Sequence, residues 1–422
     1  MKTVIELLKA DSRISDYKIN SHQKESCELF FVKGKLETFR RTNTCDKEVT
    51  VYADHGDYKG DAQFLIYAST TEDQLKELVA DAAEKALLIN NQHYTLPEAQ
   101  QGEYTVESNF ADYDMMELAS IVAKTVFDAN EIENGSLNSV EVFINKHTQT
   151  ILNSRGLHKT QVKYDAMVEA IPTYNGEKQS VELYEQYNFA ALDIPALSDQ
   201  IRGKMAEVKA RYEAAAPDFR LDCPVILNKL ELAQLFMNIA YDLSYSSVYS
   251  HSNLYSKGDA IQKNPVHDKI GITMTGQIPG SVRSASFDAD GLTLGSIRIV
   301  EDGKAVNYFG DNRYGQYLGE KPTGSLGCIR ADAGTAPAEA FAEGLEVISM
   351  SGLQVDTYSD YIGGEVRLAY YHKDGKTLPI TGISISGKLS QVLDHIRLSQ
   401  ETAVYNAYQG PAKAILSHMK IY

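Results

Sequence analysis

The sequence predicts an α+β protein: a front part in which amphipathic helices pack on mixed sheets, then a β-rich C-terminal domain. Three observations predict it. Apolar residues recur at helical spacing in several well-separated segments. Strand-like runs between them are punctuated by turn signals such as Arg155-Gly156 and Asn175-Gly176. After residue 221 the helical pattern gives way to short β runs, with Asp302-Gly303 and Asp374-Gly375 placed as hairpin turns. A chain of 422 residues exceeds what one core usually holds. Polar, Pro- and Gly-bearing stretches at 91–108 and 217–224 divide it into 1–100, 101–220 and 221–422.

The opening segment MKTVIELLKADSR reads as an amphipathic helix. Residues 16–67 read as a meander. Cys27–Val32 and Leu36–Arg41 flank the tight turn Lys33-Gly34-Lys35, and Glu48–Tyr52 and Gln63–Tyr67 flank a loop at His55–Asp61. Thr71 with Gln74 forms a capping box for a helix whose buried stripe is Leu75, Leu78, Val79, Ala82, Ala83 and Ala86. The second region opens with a helix over 112–129. Strands follow at 139–145, 159–171 and 180–190, then a helix over 198–215 stopped by Pro217. The third region opens with a helix over 228–242. Asn228 is its N-cap, Glu231 sits at the capping-box position, and Leu232, Leu235, Phe236, Ile239, Ala240 and Leu243 share a face. A short helix is placed at 390–399.

Composition narrows the function. Net charge is −16 and no run of Lys and Arg exceeds two, so no basic stripe exists to neutralise phosphates, and direct nucleic-acid binding is not expected. The first helix, interrupted by Glu6 and Lys9, lacks the apolar core of a signal peptide, and no apolar run approaches the ~18 residues of a bilayer span. Four scattered cysteines without CxxC spacing suit a reduced compartment. A cytoplasmic location away from membranes is expected.

Several motifs, met in order along the chain, resemble the TldD/PmbA family, also known as modulators of DNA gyrase. Glu28–Glu37 (ELFFVKGKLE) looks like its strand-turn-strand opening, and Leu152–Gly156 resembles its "nS.G" turn. Phe287–Gly291 resembles its "fD.EG" signature, with Asp290 where Glu is usual, and Ile299–Tyr308 the strand-DG-strand that follows. Thr323-Gly324-Ser325 is similar to its "TGn" turn, and Ile385–Leu389 to its "iaGnl" element. The resemblance implies the family's fold, a pairing of similar subunits, and a division between zinc-bearing TldD-like chains and zinc-less PmbA-like (TldE-like) chains.

In the zinc-bearing branch the helix at 228–242 carries HExxxH. The matching stretch here is Met237-Asn238-Ile239-Ala240-Tyr241-Asp242, which lacks both histidines and the general-base glutamate. No histidine lies between His158 and His251, none of the ten is followed by Glu, and no cysteine follows Cys328 to serve as the late ligand. Zinc is therefore expected only in a TldD-like partner, with no cofactor and no catalytic residue on this chain. His251, His267, Asp268, His395 and His418 read as loop residues. Gly382–Lys388 (GISISGK) meets Leu389 where a phosphate-binding loop needs Ser or Thr, and Asp288–Gly291 lacks the later ligands of a calcium loop. Tyr241, Tyr245 and Tyr249 recur every four residues and, on a continuous helix, would form a stripe for packing, a subunit interface or a peptide. The expected role is a non-catalytic PmbA/TldE-like subunit of a TldD-type metallopeptidase complex that handles unfolded peptides, with a TldD-like chain or a second copy as its dimer partner. The alternatives are an independent peptidase with an unrecognised site and a protein-binding modulator of DNA gyrase.

Overall fold

The computed structural model describes residues 2–422. The front of the chain runs α1 (Lys2–Ala10), β1 (Asp16–Val32), β2 (Lys35–His55), β3 (Tyr58–Ile66), α2 (Glu72–Ala86), β4 (Gln101–Thr105), α3 (Met115–Asp128), β5 (Gly135–Asn153), β6 (His158–Asn175), β7 (Ser180–Glu182), β8 (Glu185–Phe189) and α4 (Ile194–Glu213). All eight strands belong to one sheet in the order β3-β2-β1-β5-β6-β4, with β7 and β8 also paired to β6. The stretches expected as separate units 1–100 and 101–220 thus share a sheet. β1 pairs with β5 from Lys18 to Val32, straight across that division.

The strands are much longer than the sequence suggests. The runs expected at 36–41 and 48–52 are parts of one 21-residue strand, β2. The expected loop at 55–61 shrinks to a turn, because His55 pairs with Tyr58 around Gly56 at φ 59°. Lys33 and Gly34, both at positive φ, close the β1–β2 hairpin as its two-residue turn. Thr71 and Gln74 make both capping-box bonds to α2. α4 starts earlier than the periodicity indicates, since Asp193 caps it and Pro195 sits in its first turn.

Side chains alternate across a strand, so Tyr17, Ile19, Cys27 and Leu29 lie on the same face of β1. Tyr17 and Ile19 pack with α1 and α2 in one core. Cys27 and Leu29 pack with α3 and α4 in another. Each front region therefore has its own core, on one side of a shared sheet. The opposite face carries Lys18, His22 and Glu28 on β1 and Lys159, Gln161, Lys163 and Asp165 on β6, with Phe30, Phe143 and Met167 grouped at one end.

The rear runs β9 (Val225–Asn228), α5 (Lys229–Asp242), α6 (Tyr245–Tyr249), β10 (Ile272–Thr275), β11 (Ser296–Glu301), β12 (Lys304–Ala305), α7 (Asn312–Tyr317), β13 (Cys328–Ala331), β14 (Gly344–Met350), β15 (Gln354–Asp356), β16 (Tyr361–Lys373), β17 (Lys376–Ile380), β18 (Ile383–Lys388), α8 (Leu389–Asp394), β19 (Arg397–Leu398), β20 (Thr402–Tyr405), β21 (Tyr408–Pro411), β22 (Lys413–Leu416) and β23 (Lys420–Ile421). These strands form two mixed sheets, ordered β12-β11-β10-β13-β21-β20 and β19-β22-β9-β14-β16-β18-β23. α5 touches strands of both, and its Leu232, Leu235, Phe236, Ile239 and Ala240 are fully buried in the core that joins them. Asp302-Gly303 and Asp374-Gly375 turn their hairpins at positive φ, as the sequence indicates. The expected 390–399 helix ends at Asp394, where the chain goes on to strand β19.

Candidate functional site

The helix expected to match the zinc motif exists, but each motif position has a structural occupation. Met237 packs against the apolar core. Asn238 is exposed and donates from Nδ2 to the Gln234 carbonyl at 2.9 Å, a bond to its own helix. Asp242 is buried, and its two carboxylate oxygens accept the backbone N–H groups of Leu254 (2.8 Å) and Tyr255 (3.0 Å). It thereby fastens the 250–255 loop to the end of α5. A tetrahedral zinc site needs three protein ligands and an open position. A thioether, an amide and one committed carboxylate do not fit that requirement. Among the described residues no group of three or more His, Cys, Asp or Glu side chains is arranged to hold a metal ion.

Asn228 is the N-cap residue of α5, yet its side chain turns away to donate to the Val347 carbonyl at 2.6 Å. Glu231, at the capping-box position, is buried. Its Oε2 has no partner, and burial pushes its carboxyl up to about 7.

The three tyrosines do not form one stripe. α5 ends at Asp242, and Ser244 caps a new helix, α6, by accepting the Ser247 N–H. Tyr241 is 66% exposed. Tyr245 is 2% exposed; its ring lies against Gly310 and Gly315 and its hydroxyl donates to the Lys321 carbonyl. Tyr249 packs at a tilt against Tyr314 and Tyr317 of α7, at 5.3 and 5.1 Å between ring centroids. α7 in turn holds the 91–95 segment of the front region, through Arg313 to Asn91, Tyr317 to the Gln92 carbonyl and Asn312 to the Thr95 carbonyl.

The remaining candidates are dispersed. Asp268 is buried and spent on Thr335 and on the Leu398 N–H. His251 and His267 are exposed, and His395 bonds through Nδ1 to the Gln391 carbonyl of its own helix at 2.9 Å and meets His418, with ring centroids 4.4 Å apart. Gly382–Lys388 is largely strand β18, followed by the six-residue helix α8, which is no phosphate cradle. Asp288 accepts the backbone N–H groups of Asp290, Leu292 and Ser325, the bonding of a turn residue and not of a calcium ligand.

What the sequence reading missed is where its motifs go: three of them meet at one junction between the front sheet and the rear domain. Asn153 accepts the N–H groups of Arg155 and Leu157, which turns Leu157 toward the rear domain. Leu157 packs with Ile151 and Phe287. It also lies over Gly291, where φ is +84° and a Cβ would come within 2.5 Å of its Cδ2. Asp288 ties this turn to Ser325 of the third motif. Around it the polar face of the front sheet grips the main chain of the rear domain. Lys159 donates to the Gly291 carbonyl (2.7 Å) and to Thr293, and Lys163 to the Val282 and Ser284 carbonyls. Gln161 accepts the Ser286 N–H, and Lys18 pairs with Asp290 at 2.7 Å. Burial lowers the pKa of Lys159 and Lys163. For Lys18, Asp290 overcomes burial and raises it. The available signal was the alternation Lys159, Gln161, Lys163, Asp165, three of whose side chains bond across the junction.

Residues 221–421 match the model of the PmbA/TldA metallopeptidase C-terminal domain. The whole chain superposes on TldE from Thermococcus kodakarensis with a TM-score of 0.80 at 15% identity, covering 100% of this chain and 99% of that one. A candidate modulator of a DNA gyrase from Thermotoga maritima gives 0.78 at 14% identity, covering 100% and 99%. A second such protein, from Bacteroides thetaiotaomicron, gives 0.79 at 12% identity, covering 100% and 97%. No curated protein sequence matches the chain.

Proposed function

We propose that this chain, which belongs to the TldD/PmbA family through residues 221–421, acts as a non-catalytic subunit of a TldD-type metallopeptidase complex. Zinc and the general base come from a TldD-like partner, and this chain completes the assembly that handles unfolded peptides in the cytoplasm. One observation carries the reading: the α5 positions that would hold metal are occupied structurally, with Asp242 committed to Leu254 and Tyr255. Tyr241, largely exposed, is the side chain of that region left to meet a partner or a peptide, beside the open edge of Tyr249, whose ring packs on α7.

The test is reconstitution. The purified chain is expected to retain less than about 0.1 zinc per chain after dialysis, since no three-ligand set is preformed. Peptidase activity is expected only after a TldD-like chain is added, with the two co-eluting. Stoichiometric tightly held zinc, or peptidase activity of the chain alone, would falsify the proposal. Capture of a topoisomerase in place of a TldD-like chain would favour a gyrase-modulating role.

A further inference from the structure

Two imidazoles of the front sheet meet nitrogen to nitrogen. His22 Nε2 on β1 lies 2.9 Å from His147 Nδ1 on β5. Their ring centres are 5.1 Å apart and their planes are parallel to within 4°. The distance between centres exceeds that between nitrogens by about one ring radius at each end, so the rings meet end to end in nearly one plane, on the line of a hydrogen bond. Only one N–H fits between two nitrogens so placed. A neutral imidazole offers one donor and one acceptor, and a protonated one offers two donors. The pair therefore keeps its bond with one charge at most. A second proton would aim N–H at N–H.

The pair is anchored from one side. His147 Nε2 lies 2.7 Å from Asp165 Oδ2, in ion-pair contact without the alignment of a hydrogen bond. Asp165 Oδ1 accepts Asn145 Nδ2 at 2.7 Å. Directly opposed residues share a face of a sheet. Lys24, His147 and Lys163 thus form one cross-strand row, and His22 lies opposite Asp46 in the next. Lys163 leads out of this row to the rear domain, at 3.0 Å from the Val282 carbonyl and 3.4 Å from that of Ser284. The charged groups around the pair are Lys24, Asp46, Lys163 and Asp165, and Arg283 of the rear segment acts on Lys163. Burial above all, then His147, Lys163 and Lys24, holds the His22 imidazole below its ordinary value, with Asp46 opposing.

We propose that Asp165, His147 and His22 form an acid-operated latch at the joint between the front sheet and the rear domain. Closed, the two imidazoles share one bridging proton. When a second proton arrives the bond breaks, and a second cation stands among Lys24, Lys163 and Arg283. The side-chain tie between β1 and β5 opens, and the row that carries Lys163 loses its fixed geometry. The sign follows from His22, which the folded state favours as the neutral ring. Its contribution is complete above the ordinary value of 6.5 and is lost as pH falls below it. The latch goes beyond the subunit reading and does not depend on it, because it needs neither zinc nor a catalytic partner.

The test is hydrogen exchange of the full chain at about pH 7.5 and about pH 5.5, either side of the histidine range, with rates corrected for the intrinsic effect of pH. Segments 158–165 and 280–288 should exchange roughly fivefold faster at the lower pH, the low end of coupling free energies, while α2 keeps its rate. His22→Gln keeps a hydrogen-bonding side chain that cannot titrate, and should hold the joint closed at both pH values. Correlation spectra of the wild-type chain with ¹⁵N-labelled histidine decide the matter should that variant fail to fold. The pair should take up its two protons in separate steps, with the bridging N–H lost only at the second. Unchanged exchange at the joint, equal acceleration in α2, the same acceleration in His22→Gln, or two rings that titrate independently would overturn the proposal.

Discussion

Helix α5 and the junction around Leu157, Asp288 and Gly324 sit in the same chain and teach opposite lessons. On α5 the positions expected to match HExxxH hold Met237, Asn238 and Asp242, and what stands there is ordinary helix: a core contact, an exposed amide, a loop anchor. At the junction three of the six stretches that carry the family likeness meet, Leu152–Gly156, Phe287–Gly291 and Thr323–Ser325. Half of the stretches that carry the resemblance therefore serve to join the front sheet to the rear domain.

That contrast can be broken or sharpened by substitution. The largest effect is expected at the junction. Asp288→Ala leaves three backbone N–H groups without their acceptor and should cost about 4 kcal/mol, at 1–3 per stranded group with incomplete additivity. Denaturant unfolding measures it, and a loss below about 1 kcal/mol would mean that the junction is not a structural lock.

Next comes α5. Met237→His, Asn238→Glu and Asp242→His together rebuild the motif on paper but remove the acceptor of Leu254 and Tyr255. About 2–3 kcal/mol of stability should be lost. Zinc uptake should stay weak and peptidase activity absent, because the late cysteine ligand is missing and histidines five apart diverge by about 140° on a regular helix. Activity from these three changes would show that the catalytic surroundings survive.

The third effect is pH-dependent. Burial raises the Glu231 carboxyl from 4.5 to about 7. The folded state therefore holds a proton that the unfolded state has released between those values. Its contribution is complete below about 4.5 and is lost as pH rises toward 7. Glu231→Gln should flatten the fall of melting temperature over that window and make the variant more stable than wild type at pH 8, by up to about 3 kcal/mol. An unchanged slope would show that Glu231 titrates normally.

The smallest contrast is within the tyrosines. Tyr245→Phe removes the bond to the Lys321 carbonyl and should cost about 1 kcal/mol. Tyr241→Phe should stay within about 0.5 kcal/mol. If Tyr241→Ala abolished association with a TldD-like chain while leaving stability alone, the exposed ring would belong to the interface.

The sequence made most elements legible because their signals are local. Thr71 with Gln74, Lys33-Gly34 and the two Asp-Gly turns act over two to four residues, and the structure contains each. Strand lengths were not legible. From Lys35 to Asp46, β2 is exposed and polar, without the buried alternation that marks a strand. The shared front sheet was hidden for a related reason, since β1 and β5 are paired across more than a hundred residues. The break between α5 and α6 turns on Ser244 capping the next helix, a competition that helical periodicity alone does not reveal. Of the candidate site, the motif positions on α5 could be named, but not that Asp242 is occupied, because its partners are main-chain groups twelve and thirteen residues away.

The grip of Lys159 and Lys163 on the rear domain has a further consequence. Their ammonium groups bond to the carbonyls of Val282, Ser284 and Gly291. A carbonyl is common to every amino acid, so these lysines recognise the course of the chain and not its spelling. The 282–286 stretch can exchange side chains without loosening its attachment, provided its backbone keeps the same path. A joint built this way tolerates heavy drift, which suits a fold shared at full length with chains only 12–15% identical to it.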